Sequence, residues 1–245
     1  LIDAWRKGDS KVLRELYETT TVEGVPAVVV FALGTLGGDE NRAYLAEQIV
    51  NPDAAEDTVW SIADSLLLFD PDTVTREAVT RMREMPGLHV HAAYMIGRLR
   101  VATPGSDEEA FLIECLGSPD VMTRGVALKA LAQLGHGAYR ELCELIAKDA
   151  WKQVAKLKIL TVPAKPADRM QLRVFALESL RLIGTEASLD ALREARNWRP
   201  EGGASDREAT NLMQLSYAVS EDIYWRITGG LEGDFFEAAE RQKQS

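Results

Sequence analysis

A pattern of small residues and leucines recurs five times along this chain at helical spacing, and it constrains the fold more than any other feature. From Ala127, Ala130 lies three residues on, Leu131 four and Leu134 seven, and Gly135 closes the run at eight. Ala176, Ser179, Leu180, Ile183 and Gly184 keep that spacing, and so do Val29, Ala32, Leu33, Leu36 and Gly37. Ile62, Ser65, Leu66 and Phe69 end on Asp70 in place of the glycine, while Ala92, Met95, Ile96 and Leu99 have no stop residue. Such offsets describe one face of an α-helix, because 3.6 residues complete a turn. Each run is predicted to be a helix with a small-residue seam. Recurrence at a period in the thirties predicts an all-α stacked array whose core is built by neighbour contacts.

The anchors at 29, 62, 92, 127 and 176 are 33, 30, 35 and 49 residues apart, which leaves room for a second helix in each interval. These second helices are expected over Asn41–Val50 after Asp39, Asp72–Glu84 after Pro71, Asp107–Leu116 after Ser106, Tyr139–Val154 and Glu186–Arg196. Asp39 and Ser106 are natural N-caps, and Glu109 stands at capping-box spacing from Ser106. The surplus of the last interval has an address. Lys158-Ile159-Leu160-Thr161-Val162-Pro163-Ala164-Lys165-Pro166 cannot continue a helix past Thr161 because of its prolines. The expected organisation is a single domain over 1–245: a half-unit at 1–21, repeats over 22–197 with an insertion at 155–167, and cap helices over 205–245. Those caps are a long helix from Ser205 or Asp206 toward Ile227 and a charged helix over Asp234–Gln242.

The first helix of the best unit reads Val121-Met122-Thr123-Arg124-Gly125-Val126-Ala127-Leu128-Lys129-Ala130-Leu131-Ala132-Gln133-Leu134-Gly135. Leu172-Arg173-Val174-Phe175-Ala176-Leu177-Glu178-Ser179-Leu180-Arg181-Leu182-Ile183-Gly184 is nearly as good. This pattern resembles the HEAT repeat, in the short bacterial form related to phycobilisome-lyase repeats. The first three units depart from it, carrying Pro26, Val59 and His89 at the arginine position. The resemblance implies an α-solenoid of about six HEAT-like helix pairs, with first helices on the convex layer and second helices on the concave one. It also implies that Arg124 and Arg173 make structural polar contacts at repeat junctions. On function such a fold is nearly silent.

Charge narrows the partners. The net charge is −10, yet residues 151–200 carry 10 basic and 5 acidic side chains. Residues 1–100 carry 10 basic against 16 acidic, 101–150 carry 4 against 8, and 201–245 carry 4 against 9. The summed field of so acidic a chain repels phosphate, which disfavours nucleic acid as a partner, while a local basic segment suits an acidic protein surface. No apolar stretch approaches the roughly 20 residues that span a bilayer, so no membrane association is expected. Cys115 and Cys143 lie inside apolar helical runs and are expected as buried free thiols. With no signal peptide visible, they point to a cytoplasmic protein. The first residue is Leu1 rather than Met, so the chain is expected to be part of a larger bacterial protein.

No catalytic constellation stands out. His89 and His91 are two apart, which points them to different faces of a helix, and no CxxC, HExxH, GxSxG or phosphate loop occurs. There is no His-Glu pair of the kind used by metal-binding hydroxylases built from similar repeats. Acidic clusters such as Asp107-Glu108-Glu109 stand at helix starts, where they complement the helix dipole. Two alternatives rest on resemblance. HEAT-like alkylpurine DNA glycosylases carry Trp and Asp on a concave face, and Trp60 with Asp64, or Trp151 and Trp198 beside the basic block, could play such parts. A phycobilin lyase-like protein is the other. Against the glycosylase, Trp60 falls on a first helix and the charge opposes DNA. The expected function is therefore a non-catalytic protein-binding or scaffold domain with no cofactor and no metal site. Lys152, Lys156, Lys158, Lys165 and Arg169 are the candidate contacts to an acidic protein or peptide.

Overall fold

The computed structural model describes residues 1–69, 73–134, 137–160, 165–197 and 206–228. Among these, every regular element is helical and no strand occurs. The chain divides into two compact units, Leu1–Val101 and Ala102–Ser245. The first holds α1 (Ile2–Lys7), α2 (Ser10–Thr19), α3 (Val25–Leu36), α4 (Asp39–Gln48), α5 (Glu56–Leu66), α6 (Thr73–Arg83) and α7 (His89–Leu99), with a 3₁₀ turn at Pro86–Leu88. The second holds α8 (Asp107–Cys115), α9 (Val121–Ala132), α10 (Gly137–Ala147), α11 (Trp151–Leu157), α12 (Pro166–Ile183), α13 (Leu189–Asn197) and α14 (Asp206–Thr228), with a 3₁₀ turn at Glu186–Ser188.

The small-residue seam is the core of both units. Val29, Ala32 and Leu33, Ile62, Ser65 and Leu66, and Ala92, Met95 and Ile96 are all buried in the first. Ala127, Ala130 and Leu131, with Ala176, Ser179 and Leu180, are buried in the second. The residue seven on from each anchor is only half-buried, because it stands at or just beyond the end of its helix. Each fully buried Leu or Ile contributes roughly 1.5–3 kcal/mol relative to exposure. In the first unit α3 packs against α2 and α5, and α4 against α5 and α6; α7 packs against α5 and α6. In the second α12 packs against α9, α10 and α14. Small residues let these helices approach closely. A Cβ built on Gly34 would come within 2.7 Å of Ser65 Cβ, and one on Gly125 within 2.0 Å of the Phe175 ring.

At four of the five anchors the position two residues on is polar, a second register whose side chains pair. Tyr94 donates its hydroxyl proton to Asp64 Oδ1 at 2.6 Å, linking α7 to α5. Lys129 Nζ meets Glu178 Oε2 at 2.7 Å, linking α9 to α12. Phe31, the same position in α3, instead packs edge-on against Trp5 with ring centroids 6.2 Å apart. Second helices are tied similarly: Tyr139 donates to Glu109 Oε1 at 2.8 Å, and Ser188 to Glu144 Oε1 at 2.6 Å.

Helix ends follow local chemistry with some departures. Asp9, Ser106 and Asp120 cap α2, α8 and α9 by accepting from first-turn N–H groups. The capping box at Ser106 closes differently from expectation: Glu109 accepts from the N–H of Gly105, at 2.6 Å. Asp39 is not a cap but the first residue of α4, following Gly38, and it pairs with Arg42 at 2.9 Å. Arg100, at the position where Gly37 ends α3, ends α7 in the left-handed region with φ 52°. Gly184, by contrast, is needed for space: a Cβ there would lie 2.4 Å from Ile223 of α14. Arg226 of α14 donates to the carbonyls of Arg181, Leu182 and Gly184, satisfying the C-terminus of α12. The expected start at Pro71 and the helix over Asp234–Gln242 lie outside the described residues.

Candidate functional site

The helix expected over Tyr139–Val154 is two helices, and the break creates the basic region. α10 ends when Asp149 adopts φ 64°, with Asp149 N–H donating to Ile146 O at 3.1 Å and Ala150 N–H to Leu145 O at 2.8 Å. This is a Schellman ending with aspartate where glycine is usual. A short polar side chain tolerates that conformation better than most, and the Asp149 carboxylate accepts from the Trp151 indole N–H. α11 then runs over seven residues with Val154 as its buried contact. Lys158 ends it, again left-handed, with φ 55°.

The five candidate residues separate into two kinds. Lys152 and Lys156 stand one turn apart on α11 and are exposed. Lys158, at the end of α11, and Lys165, the residue before α12, are also exposed. None of these four forms an ion pair with a described residue. Arg169 is half-buried in the first turn of α12, and its guanidinium lies over the Trp151 ring at 5.4 Å from the centroid. A cation over an indole face is worth about 0.5–2 kcal/mol and fastens the start of α11 to the start of α12. Lys152, next to Trp151, and Lys165, one turn before Arg169, thus belong to the same part of the unit. The segment between them, Thr161–Ala164, lies outside the described residues.

The other arginines of the pattern are internal. Arg124 is buried and pairs with Asp168 Oδ2 at 2.6 Å, joining α9 to the first turn of α12. Arg173 is buried as well and donates from Nε to Ala147 O at 3.0 Å, at the end of α10. Burial brings its guanidinium pKa down to about 10, against the pull of Asp149, so it remains charged at neutral pH. Both arginines hold helices of the second unit together. Asp149 and Asp168 were not singled out from sequence, although a polar Lys148-Asp149 pair interrupting an apolar run was a usable signal.

The aromatic alternatives occupy packing positions. Trp60 lies 4.3 Å from the His91 ring and 5.4 Å from the Tyr94 ring, centroid to centroid, and Asp64 accepts from Tyr94. Trp151 is engaged by Asp149 and Arg169, and Trp198 lies outside the described residues. Cys115 and Cys143 are buried and not joined in a disulfide, and burial pushes the Cys143 thiol up to about 12. Among the described residues no group of three or more His, Cys, Asp or Glu side chains is placed to hold a metal ion, and no helix is long and apolar enough to cross a membrane. No family model, no curated protein and no solved structure matches the chain.

Proposed function

We propose that this chain is a non-catalytic binding domain, a cytoplasmic scaffold of stacked HEAT-like helix pairs, which engages an acidic protein or peptide through the exposed lysines around α11. The observation that carries the reading is the set Lys152, Lys156, Lys158 and Lys165: four exposed cations without a described ionic partner, on a chain of net charge −10. Exposed charges of one sign steer an oppositely charged partner and set its orientation more than they add affinity. Two features support the repeat architecture: the regular burial of the seam, and the equivalent polar pairs Asp64–Tyr94 and Lys129–Glu178 within the two units. A scaffold of this kind fits a larger bacterial protein in which neighbouring segments supply any chemistry.

The test uses polyglutamate and polylysine peptides as probes, with binding followed by fluorescence anisotropy. Polyglutamate is expected to bind and to weaken between about 0.05 M and about 0.3 M salt, since the Debye length shortens to well under 10 Å. Equal binding of both peptides, or none of polyglutamate at low salt, would contradict the reading.

A further inference from the structure

His91 belongs to neither the basic region nor the polar register. It lies in the first turn of α7, is only 3% exposed, and faces Trp60 of α5 with the ring planes 50° apart. Neither Nδ1 nor Nε2 has a hydrogen-bond partner among the described residues. The neighbouring His89 differs: it is half-buried, and its Nε2 sits 3.0 Å from the Arg83 carbonyl oxygen. A buried imidazole with both nitrogens unpaired is costly to hold and far more costly to charge.

We infer that His91 is an acid-sensitive latch in the first unit: taking up a proton places an unpaired cation between α5 and α7 and loosens the contact made there by Trp60. Among the described residues, the elements packed against α7 offer no counter-charge to His91. α5 carries Glu56, Asp57 and Asp64, all exposed, and the Asp64 carboxylate is occupied by the Tyr94 hydroxyl. α6 carries exposed Arg76, Glu77 and Arg81 and half-buried Arg83, and the turn Pro86-Gly87-Leu88 has no charge. On α7 itself Arg98 is exposed and lies over the Tyr94 ring at 5.9 Å from its centroid.

Burial alone brings the His91 pKa down to about 4. In the unfolded chain the imidazole takes its ordinary value near 6.5. Between those values the opened state binds a proton that the closed state does not, so the stability of the α5–α7 contact is complete above about pH 6.5. It falls as the pH drops toward about 4, and the accumulated effect on the opening equilibrium is on the order of 100-fold.

The experiment is hydrogen exchange on the full chain at several values between about pH 7 and about pH 5, expressed as protection factors, alongside the ring titrations of the three histidines by NMR. In the natural chain the amides of α5 and α7 are expected to lose about tenfold or more of protection by pH 5, while His91 stays neutral until well below 6. His91→Leu is expected to abolish most of that loss, and His89→Gln to leave it in place. The same acid loss in His91→Leu, or a His91 ring titrating near 6.5, would overturn the latch. If His91→Leu does not fold, the ring titration in the natural chain decides.

Discussion

Arg124 and Asp168 form a 2.6 Å ion pair whose two ends differ in their access to water, the guanidinium side chain being 2% exposed and the carboxylate 19%. The asymmetry decides which partner is harder to lose. Asp168→Ala strands a buried cation and is expected to cost about 3 kcal/mol. Arg124→Met replaces that cation with an apolar chain of similar length and frees a carboxylate that water can reach. Its expected cost is smaller, about 1 kcal/mol. Urea denaturation of the two variants checks the order.

Gly125 is required by Phe175, not by its own backbone. A methyl group there meets the Phe175 ring at 2.0 Å. Gly125→Ala is therefore expected to destabilise by about 1–3 kcal/mol through overpacking. Adding Phe175→Leu is expected to return part of that loss, and a double-mutant cycle in chemical denaturation measures the coupling.

Arg100 adopts the left-handed conformation that glycine adopts without strain. The strain costs roughly 1–2 kcal/mol, and glycine returns about 0.5–1 of it as extra unfolded-chain entropy. Arg100→Gly is expected to raise stability by up to about 1 kcal/mol, read as a rise in melting temperature.

Cys115 and Cys143 are both buried, and the Cys143 thiol is held protonated by its surroundings up to about pH 12. Since the thiolate is the reacting species, neither cysteine is expected to react with Ellman's reagent in the native protein at neutral pH. Both are expected to react once urea unfolds it. Rapid labelling of either thiol without denaturant would contradict the burial of Cys115 in α8 and Cys143 in α10.

The helices of the seam were legible because it repeats one chemical requirement five times, and burial at Ala127, Ala176 and their counterparts answers that requirement directly. What was not legible depended on pairs distant in sequence or on backbone conformation. Asp168, the partner of Arg124, stands 44 positions further along the chain, so no local pattern joins the two. Asp149 breaks the Tyr139–Val154 helix through a left-handed conformation that aspartate tolerates but does not announce. The basic block read as one feature because sequence counts charge without burial. In the structure Arg173 supports α10 and Arg169 lies on Trp151, which leaves the lysines as the exposed part.

The proposed docking role rests on those lysines, and charge reversal is its sharpest test. Anisotropy of labelled polyglutamate would be compared between the natural chain and the Lys156→Glu, Lys158→Glu, Lys165→Glu variant at low salt, with thermal melts beside it. The variant is expected to bind at least about tenfold more weakly with its melting temperature little changed, since exposed charges contribute about 1 kcal/mol or less each to stability. Equal affinity of the two proteins for polyglutamate would contradict it.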